Sequence, residues 1–220
     1  KQSDKPTLIC CKTAIGKGSP NMAGSDKVHG APLGADEIAA TRKELNWTSP
    51  PFEVPDDLYL AWDFRGRGQT IQSAWNERFA AYQKAHPSLA AELVRRMRGD
   101  LPSDFAAKLQ VLLAQCQAKA ETIATRKSSQ NAIEALAPAV PEMMGGSADL
   151  TGSNLTNWSA CKPVRANQWG NHINYGVREF GMSAIMNGMA LHGGYIPFGG
   201  TFLTFSDYSR NALRMAALMK

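Results

Sequence analysis

Glu179 has a setting that asks for chemistry. It lies in NYGVREFGMSAIMNG, residues 174–188, directly after Arg178, and the stretch from Phe180 to Leu191 carries no charged residue. Two readings stand side by side. A first-turn acid complements the helix dipole, or pairs with a surface Lys. Alternatively, a carboxyl desolvated by apolar surroundings has its pKa raised and can exchange a proton, or share a short hydrogen bond, with a ring nitrogen near neutral pH. A pairing with Arg178 explains little, because adjacent residues on a helix do not face each other.

Other side chains invite the same comparison. His29 in VHGAPLG has no apolar periodicity around it. It is either a satisfied loop histidine or one placed beside a glycine, where backbone can approach a ligand. Arg126 in ATRKSSQ reads as a solvated charge, Ser153 in DLTGSNL as a turn serine or helix cap, and His192 as structural. Phe202, Phe205 and Tyr208 lie three apart. Such a stripe is commonly core, but after Gly199-Gly200 it also suits the wall of a loop-to-helix pocket. Three further motifs fail. Gly16-Lys-Gly18 is not GxGxxG, Gly66-Arg-Gly-Gln-Thr70 lacks the Lys-Ser/Thr of a phosphate loop, and no His/Cys/Asp/Glu group has metal-ligand spacing.

These residues need elements to position them. Residues 7–11 read as a buried strand, running into a Gly/Pro loop over 15–21, and HGAPLG is a second loop before a helix over 35–45 with Asn46 as its C-cap. Prolines at 50, 51 and 55 exclude regular structure over 46–58. The spacing of Ile71, Trp75 and Phe79 predicts a helix that His86-Pro87 stops near residue 85. Leu89, Leu93 and Met97 mark another, and Ser103 caps a third whose face is Phe105, Leu109, Leu112, Leu113 and Cys116. A helix over 128–137 ends at Pro138. MMGGSADL then leads to a small-residue helix over 177–191, a strand in GGYIPFGG between glycine turns, and a helix from Ser206. This alternation of helix and strand predicts an α/β fold with a parallel sheet.

Composition excludes several classes. No apolar run reaches the roughly 18 residues of a membrane helix, and residues 1–7 lack the apolar core of a signal peptide. The net charge is +5, but the basic residues are scattered, with Arg95, Arg96 and Arg98 the densest cluster. A nucleic-acid surface needs a denser stripe with aromatic partners, so anionic small molecules such as phosphorylated substrates are the expected partners. Cys10, Cys11, Cys116 and Cys161 form no zinc or CxxC spacing, which predicts free buried thiols in a reduced cytoplasmic setting. A strand pattern starting almost at once, and a helical pattern running uncapped to Lys220, read as a piece cut from a longer protein.

The segments HGAPLG, RKSSQNAIEALAP, GGSADLTGSNLTNW, NYGVREFGMSAIMNGMALHGG and RNALRMAALMK resemble transketolase in order and spacing, across essentially the whole chain. The pairing of GGSADL with YGVREFGM is highly specific, and residues 161–171 match least. The resemblance implies a thiamine-diphosphate-binding fold, with parallel sheets flanked by helices and incomplete at both ends. Residues 1–90 correspond to the end of the diphosphate-binding domain, 91–124 to a helical linker, and 125–220 to the start of the pyrimidine-binding domain. It also implies thiamine diphosphate with Mg²⁺ or Ca²⁺, the metal ligands lying outside this segment. The activity implied is transfer of a two-carbon ketol unit between phosphorylated sugars of the pentose phosphate pathway. The assembly implied is a homodimer with its active site between subunits, without nucleic-acid or membrane partners.

Carried over by motif, Glu179 is similar to the acid that hydrogen-bonds the aminopyrimidine and favours the imino form that removes the thiazolium C2 proton. Phe202, Phe205 and Tyr208 resemble the wall on which the pyrimidine packs, and Asp149 an acid near the cofactor. His29 is similar to the histidine near the diphosphate and the sugar's reacting end. Arg126 and Ser153 resemble the substrate-phosphate contacts, where a guanidinium fork and a hydroxyl suit a phosphate. The alternatives are another thiamine-dependent enzyme, such as dihydroxyacetone synthase or deoxyxylulose-phosphate synthase, or a non-catalytic module that binds a partner protein. The isolated segment is expected to be inactive.

Overall fold

In the computed structural model, which describes residue 5 and residues 7–220, the chain divides into two compact units, Lys1–Ser73 and Ala74–Lys220.

In Lys1–Ser73 the glycine-rich loop over 15–24 leads through a short 3-10 turn, Asp26–Val28, to helix α1 (Ala35–Glu44). Asn46 ends α1 in the left-handed conformation (φ 52°), and the Trp47 N–H reaches back to the Arg42 carbonyl at 2.8 Å. This is the closing turn expected of a residue that tolerates positive φ. The proline-rich stretch is irregular up to Pro55. Helix α2 (Asp56–Trp62) then begins inside the span expected to lack regular structure, because Pro55 serves as its N-cap. The strand expected over 7–11 is absent. Leu8 and Ile9 are exposed, and no strand exists among the described residues of this unit to pair with them. An extended segment without a neighbour has no ladder to satisfy its backbone.

Helix α3 (Arg65–Ala85) ends where expected, and Pro87 opens α4 (Pro87–Arg98) at a position that needs no N–H donor. Trp75 and Phe79 stack at 5.1 Å, as their spacing implies. Helix α5 (Phe105–Lys119) starts after Asp104, so Ser103 is not its cap. The Phe105 N–H closes a turn on the Pro102 carbonyl, which moves the helix start one residue along. Its apolar face is only half covered: Leu113 is exposed, and so is Cys116. Cys10 and Cys11 are exposed too, in the unpaired segment, and Cys161 is half-buried, so the expectation of buried thiols fails, although all four are free. Helix α6 (Thr125–Leu136) begins three residues before the expected start, the Ser128 N–H bonding the Ala124 carbonyl at 3.0 Å.

The second unit is built on a three-stranded parallel sheet of order β2-β1-β3, comprising β1 (Met143–Ser147), β2 (His172–Asn174) and β3 (Ile196–Gly200). The central strand carries Gly145 and Gly146 because both neighbours leave no room. A Cβ on Gly145 would strike the Phe198 carbonyl, and one on Gly146 the Ile173 carbonyl. One face packs Ile133, Ala137 and Trp158 with Met143 and Phe198; a second cluster joins Ala148, Tyr175 and Met182. Between the strands run α7 (Thr151–Asn154) and α8 (Glu179–His192), and α9 (Ser206–Met219) follows β3. The parallel α/β architecture is the one expected.

Candidate active site

Parallel strands all present their carboxyl ends on one side, and ligand clefts form there. The three segments leaving β1, β2 and β3 converge in this way on a cavity of about 480 Å³. Ala148, Asp149 and Leu150 come from the first, Val177 and Glu179 from the second, and Phe205 and Tyr208 from the third.

Each segment is fixed locally. Ser147, 1% exposed, donates from Oγ to the Gly200 carbonyl at 3.0 Å, and accepts from the Leu150 N–H at 3.0 Å and from Asn154 Nδ2 at 2.7 Å. This one hydroxyl ties the end of β1 to the end of β3 and holds the turn in which Asp149 adopts φ 61°. The turn after β2 carries Tyr175, buried against Ala148 and Met182, with a hydroxyl that finds no partner and a phenol whose pKa burial pushes up. Arg178 turns its guanidinium to the Tyr175 carbonyl at 3.0 Å and away from its neighbouring acid.

Glu179 is the first residue of α8 and is 9% exposed. No hydrogen bond or ion pair joins its carboxylate to another described residue. The surface-Lys reading therefore does not apply, while the helix-dipole term remains. Glu179 lines the cavity with its carboxylate free to take a donor, and the space in front of it is walled by aromatic rings. Phe205 stacks with Tyr208 at 6.2 Å and with Phe202 at 5.9 Å. One buried acceptor beside flat faces suits a planar nitrogen heterocycle, and the cavity falls within the usual range for small-molecule sites.

The remaining expected residues fall elsewhere. Phe202 and Arg126 line a neighbouring cavity of about 730 Å³, with Ser129, Asn154, Thr156 and Thr201 among its polar walls. The Thr201 hydroxyl there is buried without a partner. Ser153 is exposed on α7 and lines neither cavity. His29 is exposed in the other unit, at the end of the 3-10 turn. Among the described residues, no group of three His, Cys, Asp or Glu is arranged to hold a metal. Ser147, Tyr175 and Val177 escaped the sequence reading. Only Ser147 carries a signal, a serine three residues before a backbone N–H that its side chain can cap.

A parallel α/β unit with a cleft at the carboxyl ends of its strands belongs to the class of open-sheet proteins that bind ligands there. Residues 1–102 match the family model described as the transketolase thiamine diphosphate binding domain, and residues 121–220 match the transketolase pyrimidine binding domain. The chain belongs to the transketolase family. It is 60% identical to transketolase 1 of Pasteurella multocida over 221 residues, covering 100% of this chain and 33% of that protein. To transketolase 1 of Escherichia coli it is 58% identical over 218 residues, again covering 33% of that protein. Among solved structures, the Pichia stipitis transketolase complex with sedoheptulose 7-phosphate is similar with a TM-score of 0.83 at 39% identity, over 97% of this chain and 32% of that one. The Leishmania mexicana transketolase gives a TM-score of 0.80 at 40% identity, over 93% and 30%. The chain thus spans about a third of the length of its relatives.

Proposed function

We propose that the protein containing this chain is a transketolase, moving a two-carbon ketol unit between phosphorylated ketose and aldose sugars in the pentose phosphate pathway. The observation that carries this reading is the buried, unpartnered Glu179 facing the Phe205–Tyr208 wall. The cofactor is thiamine diphosphate with Mg²⁺ or Ca²⁺, the metal held by residues outside this segment. When bound, the cofactor would supply a ring carbon that can attack a sugar carbonyl once its proton is removed, and an electron sink for the bond that breaks.

This chain's residues bind and orient. Glu179 hydrogen-bonds the pyrimidine ring and shares a proton with its nitrogen, while Asp149 lies at the same cleft. Phe205 and Tyr208, extended by Phe202, stack on the ring and exclude water. Arg126 and Ser153 take the substrate phosphate; for Arg126 alone, the buried, unpartnered Thr201 hydroxyl in its cavity supports the role. His29 serves the diphosphate and the reacting end of the sugar. In domain terms, 1–90 end the diphosphate-binding domain, 91–124 link, and 125–220 begin the pyrimidine-binding domain. Tyr208 is 67% exposed, which supports a cleft completed by another surface, in a homodimer of cytoplasmic enzyme without nucleic-acid or membrane partners. Among the described residues no helix is long and apolar enough to cross a membrane. The 220-residue segment alone, a third of its relatives' length, is inactive.

The test is the intact protein with xylulose 5-phosphate and ribose 5-phosphate. Sedoheptulose 7-phosphate is the expected product, and none at saturating cofactor rules the reading out.

A further inference from the structure

In Lys1–Ser73 a second carboxylate is buried and fully engaged, and the reading above gives it no task. Glu37, in the first turn of α1, is 8% exposed. Its Oε1 accepts a short hydrogen bond from the Ser19 hydroxyl and another from the Asn21 N–H at 2.9 Å. Its Oε2 accepts from Asn21 Nδ2 at 2.9 Å. No cation is among these partners. Three donors converge on one anion, and the Ser19 hydroxyl, then Asn21, hold its pKa below the ordinary carboxylate value. Glu37 is therefore an acceptor at neutral pH and not a proton donor.

What those donors belong to is the loop leading to His29. The Ser19 Oγ also accepts from the Met22 N–H at 3.2 Å. The loop closes through the Gly24 N–H on the Ile15 carbonyl at 2.8 Å, and through the Ser19 N–H on the Gly16 carbonyl at 3.0 Å. Gly16, at φ 66°, leaves space that Val28 fills, since a Cβ there would lie 3.2 Å from Val28 Cγ2. The Ser25 N–H bonds the Met22 carbonyl at 3.0 Å, the Ser25 side chain caps the 3-10 turn, and the His29 N–H ends that turn on Asp26 at 3.0 Å. An unbroken series of contacts thus runs from the Glu37 carboxylate to His29. Most of the loop is exposed, and apart from Val28 against Gly16 and Leu45 against Gly18 its shape rests on these hydrogen bonds.

We propose that Glu37 is a positioning residue, which through Ser19 and Asn21 fixes the 15–29 loop and so the placement of His29. The proposal rests on the reading above only for what His29 does once placed. The test uses the intact protein with Glu37→Ala, His29→Ala, both together, and the exchanged pair Glu37→Gln with Asn21→Asp. In that pair the amide carbonyl introduced at position 37 keeps the Ser19 and backbone bonds, and the amide N–H donates to the carboxylate introduced at position 21. Glu37→Ala is expected to speed amide hydrogen exchange in peptides within 15–29 by about tenfold or more, with other peptides unchanged. It lowers kcat/KM for ketol transfer by about 10–100-fold, and adds nothing further to His29→Ala, because coupled residues are not additive. The exchanged pair restores both readouts. Should Glu37→Ala fail to fold, Asn21→Ala, which removes only the side-chain donor to Oε2, takes its place. Unchanged exchange in 15–29, or losses that add to those of His29→Ala, overturns the proposal. Wild-type turnover in His29→Ala instead sinks the role given to His29, and amide exchange alone then decides whether Glu37 pins the loop.

Discussion

Replacing Glu179 with Gln separates a structural carboxylate from a working one. The substitution keeps shape and removes charge. At the first position of α8 the lost helix-dipole term is worth about 0.3–1 kcal/mol. Glu179 is 9% exposed and no described residue bonds its carboxylate, so no internal hydrogen bond is lost with the charge. Stability should therefore fall by no more than about 1 kcal/mol, with an unchanged denaturant slope. The kinetic expectation is far larger. General acid–base catalysis of this kind contributes about 10²–10⁴ in rate, or about 3–5 kcal/mol of barrier. The assay is hydrogen–deuterium exchange at C2 of thiamine diphosphate bound to the intact protein, variant against wild type, at saturating cofactor. A fall of two or more decades at preserved stability is expected, and excess cofactor should not restore it. Equal exchange rates would refute the reasoning and leave Glu179 as a helix-start residue.

Further perturbations test the framework around it. Ser147→Ala strands the Leu150 N–H and the Asn154 amide in a buried place, and should cost about 2–3 kcal/mol in the denaturation of the intact protein. Gly145→Ala drives a methyl into the Phe198 backbone, so the variant should lose the β1–β3 pairing and be recovered insoluble or without cooperative unfolding. Arg95 joins Glu92 and the buried Glu142 at 2.7 and 2.8 Å, fastening α4 to the root of β1, and Glu142→Ala should cost about 2–4 kcal/mol in chemical denaturation. The Arg95 guanidinium beside Glu92 lowers that carboxyl from an ordinary value near 4.5 to about 2, and lowers Glu142 as well. Because the unfolded chain binds these protons first, the stabilisation is complete above about pH 4.5 and fades as pH falls toward 2; a Tm that does not decline more steeply there than in an Arg95→Met variant would contradict the network.

Local chemistry made some of this molecule legible and non-local pairing hid the rest. α1 with its Asn46 end, the break at Pro87 and the start of α9 at Ser206 all follow from residues within one turn of the boundary. The segment over 7–11 has strand composition but lacks a partner within its unit, so composition misled. β2 is the converse case. Three residues, His-Ile-Asn, are too few to show any period, and they form a strand only because β1 offers a parallel edge with Gly145 opposite His172. The early start of α6 was missed for a similar reason: Ala124 is no cap by type, and the helix starts there without a side-chain bond.

The candidate site divides along the same line. Glu179 was visible because a lone acid beside a long uncharged run is a local anomaly. What it faces was not, since its neighbours in space leave three different strands, and only a parallel sheet brings 148–150, 177–179 and 205–208 to one side. The aromatic stripe shows the difference most directly. At a spacing of three, Phe202, Phe205 and Tyr208 could be read as a single wall. In the fold the short turn Leu203–Phe205 breaks the register, so Phe205 and Tyr208 line the Glu179 cavity while Phe202 faces that of Arg126. The Phe202–Phe205 stack therefore borders two cavities with different chemistry, one holding a buried acceptor and the other a guanidinium. A ligand spanning both would carry a planar, hydrogen-bonding end and an anionic one. That division of labour rests on one 3-10 turn, which no periodicity in the sequence announces.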